Sequence, residues 1–496
     1  MDIKQKIGQM FMARGLHVFE DETWDMIRKG WIGNVNIRPQ NADTPEAIRE
    51  AQAMAPVFMF MGADMERGCC FPQIRGTWLG NLWQLGVIDN EDLTYRYASF
   101  IAKEARAGGI NFNFGPVVDW ACEPKNPVTC TRSLGPDREK LIRLAIQLVR
   151  GFQDHGLITA AKHYPCGGRK DRDTHIEESP ITCSEEELRA TDLDIYRQLI
   201  LRAGLSGVMS GHLCVKAIDG DIPATLSKKH VRNLLDMGFQ GILITDSLSM
   251  KGVAGGCSVR DVFRRAIAAG NDIVLGDYRI GPAEQFEYLY SAYADGLITE
   301  EEIDRHVAKI LRWKKQIAEA RPAAPDYDAA ERLADEIAER SIVIDPQVAV
   351  PRQDTLFIVT KIRTEKEENG FEISFGETAP MGPILEKNFP ENKVLIISEE
   401  PLPDEIEHTL DLADHYSRVV FCGTAMLGAY KGTANFSRRL LALIGGLKRR
   451  ISIFVTIGNP FAAMELPTEI ACKISCPGNA PRDLQALAGK LKIMLK

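Results

Sequence analysis

The sequence predicts an α/β protein: a (β/α)8 barrel of the TIM type followed by a smaller, doubly wound α/β domain. Three observations lead there. Short apolar runs alternate with amphipathic stretches through the first two-thirds of the chain, and eight such runs can be picked out. The pattern is interrupted by a Pro/Ala linker, Ala320–Asp326 (ARPAAPD), and then begins again. The chain's 496 residues exceed one ordinary core, since domains usually run to about 100–200 residues and single barrels to about 250. The expected divisions are a barrel over 1–318, a linker and bridging helix over 319–350, and a C-terminal α/β domain over 351–496.

In chain order, the expected barrel strands are Met10–Met12, Gly33–Ile37, Val57–Gly62, Phe112–Val118, Ile158–Lys162, Gly207–Ser210, Ile242–Thr245 and Asp272–Leu275. Helical patterns between them cover Pro45–Ala53, Asn90–Ala107, Arg138–His155, Ser184–Ala203, Lys228–Met237 and Val259–Ala269. Helix-start signals agree: Thr44 precedes Pro45, Ser227 opens the Lys228 helix, and Ser184 with Glu187 makes a capping-box pattern. Strands that read as continuous apolar runs, separated by helices, imply a parallel sheet covered on both faces. The segment from Asp277 to Gln316 is helical, and Tyr327–Ile344 reads as a further helix beyond the linker. The second domain's expected strands are Leu356–Val359, Val394–Ile397, Val419–Cys422, Ile453–Thr456 and Lys473–Ser475. Gly423 and Gly458 follow strand ends without a GxGxxG, so no nucleotide site is assigned.

Composition narrows the function. Hydrophobic residues make up 45% and charged residues 26%, as in ordinary soluble domains. A net charge of −8 with no long basic run argues against nucleic acid as a partner. No apolar run reaches the roughly 18–20 residues of a membrane span, and the N-terminus shows no signal-peptide core. The eleven cysteines follow no disulfide or zinc spacing, and Cys166 with His163 lacks a second ligand pair. Free thiols in a leaderless chain lead us to expect a reducing cytoplasm.

Polar residues fall just past several strand ends, where a barrel keeps its chemistry: Asp64 and Glu66, Asp119, Lys162 and His163, His212, and Asp246. The densest stretch is Lys162–His175, KHYPCGGRKDRDTH. In its Asp-x-His, Asp173 is close enough to orient the His175 imidazole for proton transfer near neutral pH. A charged surface loop with satisfied histidines is the plain alternative. Asp246 closes the strand in ILITDSLSM. It either caps the next turn or, if fixed donors keep it ionised, acts as a nucleophile. Paired with an acid/base on a neighbouring loop, it meets the requirements of retaining glycoside hydrolysis.

These stretches resemble glycoside hydrolase family 3, and most closely its β-N-acetylglucosaminidase (β-hexosaminidase) branch of the peptidoglycan-recycling type. KIGQMFM at Lys6–Met12, ADMERG at Ala63–Gly68, GINFNFGPVV at Gly109–Val118 with Asp119, NPVTCTRSLG at Asn126–Gly135 and PATLS at Pro223–Ser227 each resemble a family motif. KHYPCGGRKDRDTH is similar to the branch pattern K-H-F-P-G-x-G-x-x-x-x-D-S-H, and VTIGNPF at Val455–Phe461 resembles the family's C-terminal domain. The resemblance implies Asp246 as nucleophile, His175 as general acid/base and Asp173 as its orienting partner. It implies Asp64, Arg132, Lys162 and His163 as hydrogen-bonding groups for the sugar. Met209 lines the pocket or is a core methionine, and His212 is structural.

The implied activity is removal of terminal β-linked N-acetylglucosamine from soluble amino-sugar oligomers such as cell-wall fragments. It needs no metal, nucleotide or redox cofactor and no partner beyond a small carbohydrate. Alternatives are a phosphorylase using phosphate as acceptor, another family 3 enzyme such as a β-glucosidase, a silent sugar-binding barrel, and a Schiff-base aldolase using Lys162. Departures from the family pattern also stand out. Arg67 interrupts a Gly pair, and an arginine usual near Pro72 is absent, with Arg75 the nearest substitute. Cys166 and Gly167 replace a Gly and a His, and Arg169 with Lys170 make the loop more basic than usual.

Overall fold

The structure, a computed structural model, describes residues 1–37, 44–69, 76–173, 177–253, 256–346, 354–368, 372–426 and 433–495. Eight parallel strands form the first sheet: β1 (Phe11–Arg14), β2 (Asn34–Asn36), β3 (Phe60–Ala63), β4 (Phe112–Asn113), β5 (Ile158–Tyr164), β6 (Gly207–Ser210), β7 (Ile242–Thr245) and β8 (Val274–Leu275). Their order is β8-β1-β2-β3-β4-β5-β6-β7, and a parallel bridge from Ile244 to Ile273 joins the two ends. The barrel is thus closed, as its eight strand–helix units predict.

Buried asparagines staple its lower rim. Asn34 Nδ2 donates to Gln9 O and Phe11 O at 2.8 and 3.0 Å, and Asn111 Oδ1 accepts from Met61 N at 2.8 Å. Lys314, on the last barrel helix Glu300–Glu319, plugs the same end. It is 1% exposed, and its ammonium donates to Gln9 Oε1 at 2.7 Å and Gly33 O at 2.8 Å. Burial with no carboxylate partner pushes its pKa well below 10.5. Between that folded value and 10.5 the unfolded chain binds more protons, so this group's contribution to stability rises with pH. We expect Lys314→Met to flatten the stability–pH curve over that window by up to about 1.4 kcal/mol per pH unit, the limit for one proton. Denaturant midpoints measured from neutral to alkaline pH check this; parallel curves for the two proteins would rule it out.

Three expected elements differ. The strand expected over Phe112–Val118 stops at Asn113, because Pro116 has no N–H for the ladder. The chain still runs alongside β5: Lys162 N donates to Pro116 O and Val118 N to Lys162 O, at 3.1 and 2.9 Å, and this carries Asp119 to the barrel mouth. The single helix expected over Ser184–Ala203 is two, Glu185–Ala190 and Asp192–Ala203. Thr191 leaves helical geometry at φ −119° and ψ −85° between them, and both Thr191 and Asp192 bond Arg169. The helix expected over Tyr327–Ile344 ends at Arg340, after which Val343–Asp345 (β9) joins the second sheet.

That sheet contains β9, β10 (Thr355–Thr360), β13 (Lys393–Ile397), β14 (Arg418–Ala425), β15 (Ile451–Gly458) and β16 (Cys472–Cys476). A separate antiparallel hairpin, β11 (Ile362–Glu368) with β12 (Glu372–Thr378), intervenes in sequence. The sheet order is β9-β16-β15-β14-β10-β13, parallel except for β9. Side chains alternate between two apolar layers. Leu356, Ile358 and Phe421 pack with Leu440 and Leu443 of one helix; Phe357, Val359 and Val420 pack with Leu385, Leu484 and Leu487 on the other face. The sheet is therefore doubly covered, as its apolar strands require.

A short helix from the barrel, Leu82–Ile88, meets this region. Gln84 Nε2 donates to Asp483 Oδ1 at 2.8 Å and Ser341 Oγ at 3.0 Å, and Asn81 Nδ2 donates to Pro477 O at 2.9 Å. Among the described residues, no helix is long and apolar enough to cross a membrane.

Candidate active site

The turn after β3, the loop after β4 and the end of β5 supply one ionic network. Glu66 is its hub. Arg132 grips it with two hydrogen bonds, Nε to Oε2 and Nη2 to Oε1, both 2.8 Å. Lys162 Nζ lies 2.8 Å from Glu66 Oε1 and 2.6 Å from Asp64 Oδ1. Burial alone would raise the Glu66 pKa, but the Arg132 and Lys162 charges hold it well below the usual carboxylate value. Burial likewise opposes the charge on Lys162, and Asp64 and Glu66 more than restore it. Lys162 is nearly enclosed, whereas the Asp64 side chain keeps 43% of its surface. Asp64 therefore presents a carboxylate to the barrel mouth from a fixed base.

A second pair stands beside it. His163 Nδ1 is 2.7 Å from Asp119 Oδ2, and the His163 backbone N–H donates to Oδ1 at 2.9 Å. Burial lowers the His163 pKa further than Asp119 restores it, so the ring is neutral at pH 7. A carboxylate only accepts, so the Nδ1 proton goes to Asp119 and Nε2 is left as an acceptor. Gly167 packs against this pair: a Cβ there would lie 2.4 Å from Asp119 Oδ1. The departure at Gly167 thus makes room for the Asp119 carboxylate.

Asp246 follows β7. Its Oδ1 accepts the Ser247 N–H at 2.7 Å, while among the described residues no donor engages Oδ2. Burial would raise its pKa; His163 and His212, protonated in the acid range where this carboxylate titrates, with the Ser247 N–H and Lys162, hold it far below 3.8. His212 acts through the same peptide. Its Nε2 donates to Ser247 O at 2.9 Å, and Nδ1 lies 2.9 Å from Thr225 Oγ1. Burial keeps this histidine neutral too, so it accepts from Thr225 at Nδ1. It positions the peptide that holds Asp246, in line with its expected structural part.

Among the remaining expected residues, Asp173 is 3% exposed at the far end of the β5 loop, and Met209 is 2% exposed in β6, within the barrel core. His175 lies outside the described residues, as do Pro72 and Arg75. Titratable groups from several strands converge on one place: Lys162, His163 and His212 all act on Asp246, and Asp246 and Asp173 both act on Lys170. From the sequence, Glu66 and Asp119 are only polar residues after strand ends and Asp119 is not paired with His163, while Lys170 with Arg169 makes a basic loop that suits an acidic aglycone or phosphate, or is merely solvated. That position is the visible signal for the first two; Lys170 carries none beyond its charge.

The chain is similar to known proteins along much of its length. A β-N-acetylglucosaminidase/β-glucosidase of Cellulomonas fimi is 32% identical over 346 residues, covering 67% of this chain and 61% of that protein. A β-hexosaminidase of Neisseria meningitidis serogroup C is 30% identical over 246 residues, covering 47% of this chain and 67% of that one. The solved structure of a glycoside hydrolase family 3 β-N-acetylglucosaminidase from Paenibacillus sp. str. FPU-7 superposes with a TM-score of 0.84 at 28% identity, covering 99% of this chain and 97% of that one. The family model described as glycosyl hydrolase family 3 N terminal domain matches residues 2–313. On that match, together with the closed barrel and its ring of strand-end charges, the chain belongs to glycoside hydrolase family 3.

Proposed function

We propose that this chain is a retaining, exo-acting β-N-acetylglucosaminidase that removes terminal β-linked N-acetylglucosamine from soluble amino-sugar oligomers such as cell-wall fragments. The observation that carries the reading is Asp246, a carboxylate held ionised, with one oxygen fixed by Ser247 and the other unengaged among the described residues. That is the state a nucleophile needs. In the first step Oδ2 attacks C1, and the His175–Asp173 dyad gives a proton to the departing oxygen. In the second, the dyad takes a proton from water; the water oxygen bonds to C1, and the ester pair returns to Asp246. Asp64, Arg132, Lys162 and His163 hold the sugar hydroxyls, Asp64 and His163 Nε2 as acceptors and the two cations as donors. Met209 closes the apolar floor of the pocket.

The relatives' names support N-acetylglucosamine as the sugar, and the Cellulomonas enzyme's name adds glucose as the arm to compare. Apart from Cys69, the described cysteines are free, which suits a cytoplasmic setting. The test is turnover of p-nitrophenyl β-N-acetylglucosaminide against the β-glucoside, with the first-formed anomer followed by NMR. We expect preference for the N-acetyl sugar and β-N-acetylglucosamine as the initial product. An initial α-anomer, or no release of sugar, overturns the reading.

A further inference from the structure

The loop after β5 contains two adjacent cations with opposite fates. Arg169 is tied down: Nε lies 2.7 Å from Asp192 Oδ2, Nη1 lies 2.7 Å from Glu187 Oε1, and Nη2 donates to Thr191 Oγ1 at 3.0 Å. The turn before it is pinned by Asn126 Nδ2, which donates to Gly167 O and Gly168 O at 3.0 and 3.1 Å. Between these anchors, Lys170 is only 5% exposed. Its electrostatic neighbours come from several elements: Asp119 after β4, Arg132 on the following loop, Asp246 after β7 and Asp173 on its own loop. His163 and His212 feel its charge as well.

Among the described residues, no hydrogen bond or ion pair engages the Lys170 ammonium. The side chain is nearly enclosed, but its ammonium, with three donors, is not among the polar atoms sealed from solvent without a partner. The carboxylates around it have other donors. Both Asp119 oxygens are taken by His163, and Asp246 Oδ1 is taken by Ser247. Lys162 and Arg132, by contrast, already give some of their donors to Asp64 and Glu66. Lys170 therefore has unspent donors within electrostatic reach of Asp246.

We infer that Lys170 is a specificity-determining residue that donates to an oxyanion on the group leaving or entering at C1, either a carboxylate on the aglycone or inorganic phosphate acting as acceptor. This rests on the reading of Asp246 as the nucleophile. In the phosphate case, an oxygen of the dianion forms the bond to C1 as the C1–Asp246 ester bond breaks. The electron pair returns to the carboxylate, and the sugar 1-phosphate leaves. No proton has to be removed, because the phosphate is already ionised. In the carboxylate case, Lys170 only binds and the chemistry is unchanged.

The experiment compares the full-length wild type with Lys170→Met and Lys170→Arg. The substrates are 4-carboxyphenyl β-N-acetylglucosaminide and its methyl ester, and the p-nitrophenyl glycoside with increasing phosphate. If the anion sits on the aglycone, Lys170→Met loses at least about tenfold more kcat/KM on the carboxylate than on the ester, mostly in KM, and Lys170→Arg recovers most of it. If the anion is phosphate, the phosphate concentration for half-maximal sugar 1-phosphate release rises at least about tenfold in Lys170→Met. Equal losses on carboxylate and ester with an unchanged phosphate response make Lys170 a structural counter-ion and overturn the inference. If the wild type turns over no glycoside, the proposed function fails separately. Calorimetry of inorganic phosphate with wild type and Lys170→Met then decides: binding lost in the variant supports the oxyanion site, and equal or absent binding ends it.

Discussion

Asp246→Asn is expected to lower kcat by more than about three orders of magnitude, the scale on which loss of a group acting only in the transition state is felt. The amide keeps the shape of the side chain but is a far weaker nucleophile and carries no charge to offset the developing cation at C1. Steady-state rates on an activated aryl glycoside measure the loss. Intact mass should reveal a glycosyl adduct on the wild type with a slow substrate, and none on the variant. A variant within about tenfold of wild type would falsify the assignment. Because the folded pKa of Asp246 lies below 3.8, the carboxylate is ionised across the neutral range. Its linked stability is present above the unfolded value and is lost as pH falls toward the folded one. Any acid limb of activity between pH 5 and 7 must therefore come from another group.

The second large effect concerns Glu66. Removing it in Glu66→Ala takes the shared partner from Arg132 and one of two partners from Lys162. Both cations are mostly enclosed, so an uncompensated charge remains inside, a change that typically costs about 3–5 kcal/mol. The Glu66 and Arg132 side chains retain 16% and 19% exposure, which places the expected loss near about 3 kcal/mol. Glu66→Gln keeps an acceptor and should lose less. Urea midpoints read the stability, and KM for the aryl glycoside should rise in both variants as Arg132 and Lys162 lose their aim. A Glu66→Ala midpoint within about 0.5 kcal/mol of wild type would show that the hub is not stabilising.

The sequence resolved most clearly what depends on local pattern. Gly207–Ser210 and Ile242–Thr245 match β6 and β7 residue for residue, since an apolar run bounded by polar residues marks a buried strand. The Asp246 position followed from the end of that run. Misreadings arose where distant groups intervened. The break at Thr191 answers to Arg169, a residue from another loop. The Leu82–Ile88 helix, which no periodicity marked, packs on residues more than 250 positions later. The hairpin over β11 and β12 includes Arg363 to Glu368, too charged to suggest a strand. Burial of Lys170 was equally hidden, because its surrounding acids come from β4, β7 and its own loop. Composition showed only a basic loop.

The excursion after β3 begins at Asp64 and Glu66 and runs on to Asn81 and Gln84. Along it, Gly68 bridges Trp78, and the Tyr97 hydroxyl donates to both Glu66 O and Gly80 O. One end of this arm carries Asp64 at the barrel mouth; the other is moored to Pro477 and Asp483. Cutting the gene after the last barrel helix would set that mooring adrift and expose amides that now have receptors. Anyone trimming the protein to a minimal hydrolytic unit should keep the carboxy-terminal lobe, or redesign Asn81 and Gln84 for life in water.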